Sequence, residues 1–226
     1  MPLVSQNELG GLTEKAWRGL SVDCPVPWGL AKDSNIMVQW LASRGLGFAD
    51  SLIECLAMVK ENPMLAHENP LDSGVMIAPL HGLAMLDSIL AEGMIWNGQI
   101  YGANFIMAGM GLLLDDDLAN SRDNAARLTL SDADGIAAEC KDQMIRMRAS
   151  MPSDGQYELR GGGHADRQAA DISLTTPNSP PHNSTHAIDV NDAVWQQMQE
   201  HAQNSYVPEN ELSRNRGAGA GNIDND

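Results

Sequence analysis

The chain of 226 residues predicts an α+β fold, with an N-terminal helical layer packed on a small, mostly antiparallel sheet. Two observations carry that expectation. Helix-period apolar patterns follow one another from residue 5 to residue 60, and short strand-like runs punctuated by glycine follow from residue 94. A hydrophobic content of 43% is that of a globular chain able to bury a substantial core.

In chain order, Ser5 and Glu8 form a capping-box pattern, and Leu9, Leu12, Ala16 and Leu20 follow on one helical face. After a turn through Pro25 and Pro27, a second helix opens near Trp28 with Leu30, Met37, Val38, Trp40 and Leu41 inward, and Gly45 stands as the residue just past its end. A third covers residues 48–60 with Leu52, Cys55, Leu56 and Val59 inward. Residues 61–73, with Pro63, Pro70 and several acids, read as an exposed loop. A short strand from residue 74 then gives way to a helix opened by Pro79, whose missing N–H costs nothing in a first turn. Residues 94–101 and 103–114 read as strands bent at Gly98, Gly102, Gly109 and Gly111. Residues 127–136 hold a hairpin turn at Asp134 and Gly135, and residues 144–151 supply one more strand.

The expected organisation is a main α+β domain over residues 1–151, a disordered or loop insert over 152–186, and a closing part of the same domain over 187–226. The insert is inferred from its Ser, Thr, Asn, Pro and Gly content. The closing part starts with a strand near Ile188, continues as a helix capped by Asn191 or Asp192, and ends in a docked glycine-rich tail.

A formal charge of −16, from 14 basic and 30 acidic residues, argues against nucleic acid and against an anionic membrane as partners. Cys24, Cys55 and Cys140 lack both disulfide-framework and zinc spacing and suit buried thiols in a reducing cytoplasm. No basic-then-apolar leader opens the chain, and residues 103–114 are too short and too glycine-rich to span a bilayer.

Chemistry-bearing residues are few. Asp115, Asp116 and Asp117 lack the ligand alternation of a calcium loop and read as a solvated turn. His182 and His186 stand four apart but among prolines, and His164 with Asp166 follows a glycine triplet, so no metal site is expected. His81 falls at a strand-to-helix junction, where it serves as a hydrogen-bonded structural group or faces a cleft. The glycines at 161–163 and at the C-terminus do not follow a strand and open a helix, so neither is a nucleotide fingerprint. No cofactor is named by any motif. The tail is the most distinctive stretch. Gly217, Gly219 and Gly221 permit close backbone approach and an anion-holding nest, and Arg214 and Arg216 add planar donors for a carboxylate or phosphate, while Asp224 and Asp226 offer those arginines an alternative partner.

Two resemblances bear on this. Asn7 to Leu12, Trp40 to Gly45 and Asp50 to Leu56 resemble the helical N-terminus of the non-classical NAD(P)-dependent malate/L-lactate dehydrogenases. That family follows its Arg-Gly with a Ser-His-Gly whose histidine does acid–base work, whereas Arg44 and Gly45 here lead into Leu46, Gly47 and Phe48, so no catalytic role carries over. More of the chain is similar to an uncharacterised bacterial family defined by a domain of unknown function. The similarity lies in Asn7 to Leu9, Pro27 to Leu30, Ala78 to Leu80, Tyr206 to Pro208, and Ser213 to Asp226. It implies an integral tail and a variable insert over residues 172–186, and no activity.

The resulting expectation is a cytoplasmic protein of bacterial small-molecule catabolism that contacts an anionic metabolite through Arg214, Arg216, Gly217, Gly219 and Gly221. Arg44, His81 and Tyr206 are the candidate catalytic side chains should it be an enzyme. Its rivals are an accessory subunit of a partner enzyme and a dehydrogenase-like protein without its acid–base histidine.

Overall fold

A computed structural model describes residues 3–115, 127–141, 144–148, 152–161, 172–177 and 188–205. Its fold is α+β: a mostly antiparallel sheet with a helical N-terminal part. The helical part opens with β1 (Leu3–Val4), α1 (Gln6–Arg18), α2 (Trp28–Ser43) and α3 (Ala49–Glu61), and continues through a 3-10 turn (Pro63–Ala66) and α4 (Pro70–Ser73). Next come β2 (Val75–Ile77), α5 (Ala78–Glu92), β3 (Ile95–Tyr101) and α6 (Asn104–Asp115). The strands β4 (Leu128–Asp132), β5 (Gly135–Lys141), β6 (Met144–Arg148), β7 (Asp154–Gly161) and β8 (Ile172–Pro177) follow, and β9 (Ile188–Asp189) leads into α7 (Asp192–Gln203).

Seven strands form one sheet in the order β2-β3-β7-β4-β5-β6-β8, and β1 pairs with β9 in a separate ribbon. Only β2 and β3 run parallel, because α5 carries the chain back between them; the other pairs are antiparallel. Helices α5 and α6 pack on each other and on the sheet, α2 lies across both, α1 packs on α2, and α7 joins α1 to α3. Trp17, Met37, Leu41, Leu52, Leu56, Leu80, Leu86, Ile89 and Phe105 are fully buried between these layers. Within the core the Trp17 indole N–H donates to Ser34 Oγ at 2.7 Å. On the sheet face that carries Thr129, strand register sets Arg160, Thr129, Glu139 and Arg146 in one cross-strand row, and Glu139 pairs with Arg127.

The helix ends follow from their local chemistry. Both halves of the Ser5–Glu8 capping box are made, Pro79 sits in the first turn of α5, and Asn191 caps α7 by accepting from the Ala193 N–H. Beyond α2, Gly45 takes a φ of 64°, as its position past a helix end requires.

Four expectations are corrected. Residues 103–114 are not strands: nearly all of them lie in α6, whose Phe105 to Met110 are buried on every side, so the segment has no amphipathic period to read. Its glycines are helix contacts rather than bends. A methyl at Gly109 would stand 2.7 Å from Leu86 Cδ1, and one at Gly111 would overlap the Trp40 indole. The insert expected over 152–186 contains two strands of the sheet. β7 lies between β3 and β4, with Tyr157, Leu159 and Gly161 buried and the residues between them less so. Its alternation is masked in composition by the polar residues that surround it, and β8 pairs with β6. Residues 162–171 and 178–187 lie outside the described residues. The expected loop at 61–73 folds into the 3-10 turn and α4, burying Ala66 and Pro70. The β4–β5 turn is made by Ala133 and Asp134, and Gly135 already pairs with Asp132. Among the described residues no helix is long and apolar enough to cross a membrane.

Candidate ligand-binding cleft

The starts of four helices converge on a half-open cleft of about 720 Å³. Gln6 opens α1, Phe48 to Ser51 open α3, Asn104 opens α6, and Asn191 caps α7; all line the cleft. The loop after α2 and the β9 strand complete the wall.

That loop is fixed from both sides. Leu46 N–H donates to Leu41 O at 3.0 Å and Gly45 N–H to Ala42 O at 3.1 Å, the paired bonds of a Schellman motif around the left-handed Gly45. Across the cleft, Asn104 Nδ2 donates to Gly47 O at 2.8 Å, joining residues 57 positions apart. Asn104 is itself placed by the chain reversal at Gly102, φ 73°, and by the bond from Ala103 N–H to Ser153 O at 2.6 Å. Its Oδ1 is sealed from solvent and has no hydrogen-bond partner among the described residues.

Helix α3 enters the cleft with its first turn uncapped. Phe48 stands at the cap position and has no side-chain oxygen to offer, so the first-turn N–H groups and the positive end of the helix dipole are turned to the cleft wall. Among the described residues, the charged side chains in the lining are Asp50 and Asp189, both exposed, and none of the described lining residues is a lysine, arginine or histidine. The described lining thus combines backbone donors with side-chain acceptors.

The sequence candidates fall unevenly around it. Arg44 lies between two lining residues, but its guanidinium stacks on the Trp40 ring 3.9 Å from the centroid, and Nη1 donates to Trp40 O at 3.4 Å and Ser43 Oγ at 3.2 Å. It closes the end of α2. His81 is buried in the first turn of α5, away from the cleft lining. Its Nδ1 accepts from Ile77 N–H at 3.4 Å, and Nε2 lies 3.5 Å from Ala66 O. Burial is the main cause holding its pKa below the ordinary 6.5, opposed by the Ala66 carbonyl. Tyr206, Arg214, Arg216, Gly217, Gly219 and Gly221 lie outside the described residues, as do Asp116, Asp117, His164, Asp166, His182 and His186.

A second hollow of about 360 Å³ is bordered by Glu54, Cys55, Glu61, Tyr101 and Asp154. Burial, with Glu54 and Asp154 adding, pushes the Cys55 thiol far above its usual range, so it stays protonated and is not a nucleophile at neutral pH. Among the described residues no group of three His, Cys, Asp or Glu could hold a metal ion.

Sequence reasoning passed over Asn104 and the start of α3. Asn104 directly after Gly102 and Ala103 is a helix-start signal, but the strand reading of residues 103–114 concealed it. Asp50 and Asp189 carry no local signal, since only the fold brings them to one cleft. In comparisons with known proteins, no family model, no curated protein and no solved structure matches the chain.

Proposed function

We propose that this is a cytoplasmic small-molecule-binding protein whose ligand occupies the cleft at the start of α3. The observation that carries the reading is the uncapped first turn of α3 facing a cavity of about 720 Å³, a volume suited to a metabolite. Unpaired N–H groups and the dipole at a helix start favour an anionic group, a carboxylate or a phosphate. Among the described lining residues there is no cationic side chain, and in this reading Arg214 and Arg216 are the charge partner of the ligand, with Gly217, Gly219 and Gly221 permitting close backbone approach. The strongly acidic chain makes nucleic acid and anionic membrane surfaces poor partners.

The test is thermal unfolding of the full chain and of a chain ending at Val207, each with small carboxylates, phosphates and NAD(P)H. A true ligand at one hundred times its Kd adds about 2.7 kcal/mol of stability, a shift of several degrees for a chain of this size. The reading expects that shift in the full chain and a smaller one in the shortened chain. If no anion in the panel moves either midpoint, the reading is wrong.

A further inference from the structure

We infer that Asn97 is a site of covalent self-modification, protected while β3 is paired in the sheet and reactive once the sheet opens. It is the one asparagine in the chain that glycine follows, so the next backbone nitrogen meets no side chain as it approaches the asparagine amide. The chemistry needs only water. Gly98 N bonds to Asn97 Cγ, its proton leaves with the side-chain nitrogen as ammonia, and water opens the five-membered imide that results. Opening at Cγ gives aspartate. Opening at the main-chain carbonyl gives isoaspartate, whose backbone runs through the side chain and is one carbon longer.

Packing fixes the glycine, since a methyl at Gly98 would stand 2.3 Å from Gly74 O and 2.5 Å from Trp96 Cζ2. Asn97 itself is exposed, so burial does not shield it. The sheet does. Both residues lie inside β3, opposite Glu158 and Tyr157 of β7. Extended backbone sends the Asn97 side chain off the face of the sheet while the N–H groups lie in its plane, which holds Cγ and Gly98 N apart. Gln99 N–H donates to Gly74 O at 2.8 Å on the β2 side. Because N–H groups alternate along a strand, Gly98 N–H turns the other way, into the ladder with β7. With β2 on one side and β7 on the other, β3 frees this nitrogen only when the sheet opens.

Either product alters the strand. A carboxylate at position 97 faces that of Glu158, a like-charge pair. The longer isoaspartate backbone also shifts everything after it, including the fully buried Ile100 and the reversal at Gly102 that places Asn104. A chain that forms isoaspartate while unfolded therefore does not regain the native sheet.

The experiment incubates the full chain in mildly alkaline buffer, folded and in urea, and follows the chymotryptic peptide Asn97–Tyr101 by mass spectrometry. Conversion in the folded chain is expected to be slower on the order of a hundredfold, because it waits on opening of an inner strand. Comparable rates overturn the protection, and no conversion in urea overturns the site. After dilution from urea, the refolded monomer should be depleted in isoaspartate on the order of tenfold relative to the unfolded pool. An undiminished share overturns the consequence for refolding.

Discussion

Replacing Gly111 with alanine tests the packing that supports one wall of the cleft. Helix propensity by itself says the change should help, by about 1 kcal/mol, since alanine loses less backbone freedom in a helix. The structure says the opposite. The new methyl would overlap Trp40 Cζ2 and Cε2 and lie 2.8 Å from Nε1. Trp40 has nowhere to go: it is 4% exposed and carries the Arg44 guanidinium 3.9 Å from its ring centroid. Overpacking of this kind costs about 3 kcal/mol at the upper end, leaving about 2 kcal/mol of net destabilisation. For a chain of this length that is a fall in Tm of about 4–8 °C. Gly11→Ala is the matched control, because a methyl there meets nothing within 4 Å in the middle of α1, and it should stabilise by about 0.5–1 kcal/mol. Urea unfolding followed by circular dichroism reads both. A Gly111→Ala protein as stable as its parent would refute the Trp40 packing and, with it, the fixed position of Arg44 beside the cleft.

Two further substitutions probe buried polar groups. Ser34→Ala strands the Trp17 indole N–H in the core and should cost about 1–3 kcal/mol in denaturant unfolding; a loss under about 0.5 kcal/mol would show that the bond is not a stabilising one. His81 predicts a pH dependence. Its folded pKa lies below 6.5, so the unfolded chain takes up the proton first, and stability present above about pH 6.5 is lost as pH falls toward the lowered folded value. His201, also lowered chiefly by burial, adds in the same direction. Melting curves from about pH 8 to about pH 5 should therefore fall less steeply for His81→Gln than for the parent, and equal slopes would assign the dependence to other groups.

Much of the helical half was legible in the sequence because its determinants are local. The Ser5–Glu8 box, Gly45 past α2, Pro79 in the first turn of α5 and Asn191 before α7 act through bonds or backbone angles within a few residues, and each does in the structure what its spacing implies. Amphipathic faces on α1 and α3 are legible for the same reason, since a helix packed on one side leaves its period in the sequence. Where burial is complete that period disappears. Thus α6, enclosed by α2, α5 and the sheet, shows only apolar residues and glycines, and its glycines are explained by Leu86 and Trp40, which come from elsewhere in the chain.

The tertiary structure alone decided that β7 belongs inside the sheet, since a strand is stabilised by pairing with distant partners, here β3 and β4. It also decided the cleft. Asp50, Asn104 and Asp189 are far apart in the chain and carry no shared motif, and they meet because the packing of the helices and β9 sets four helix starts at one end. A sequence records the interactions that a residue makes with its near neighbours, whereas a site assembled from several elements is recorded only in how those elements pack.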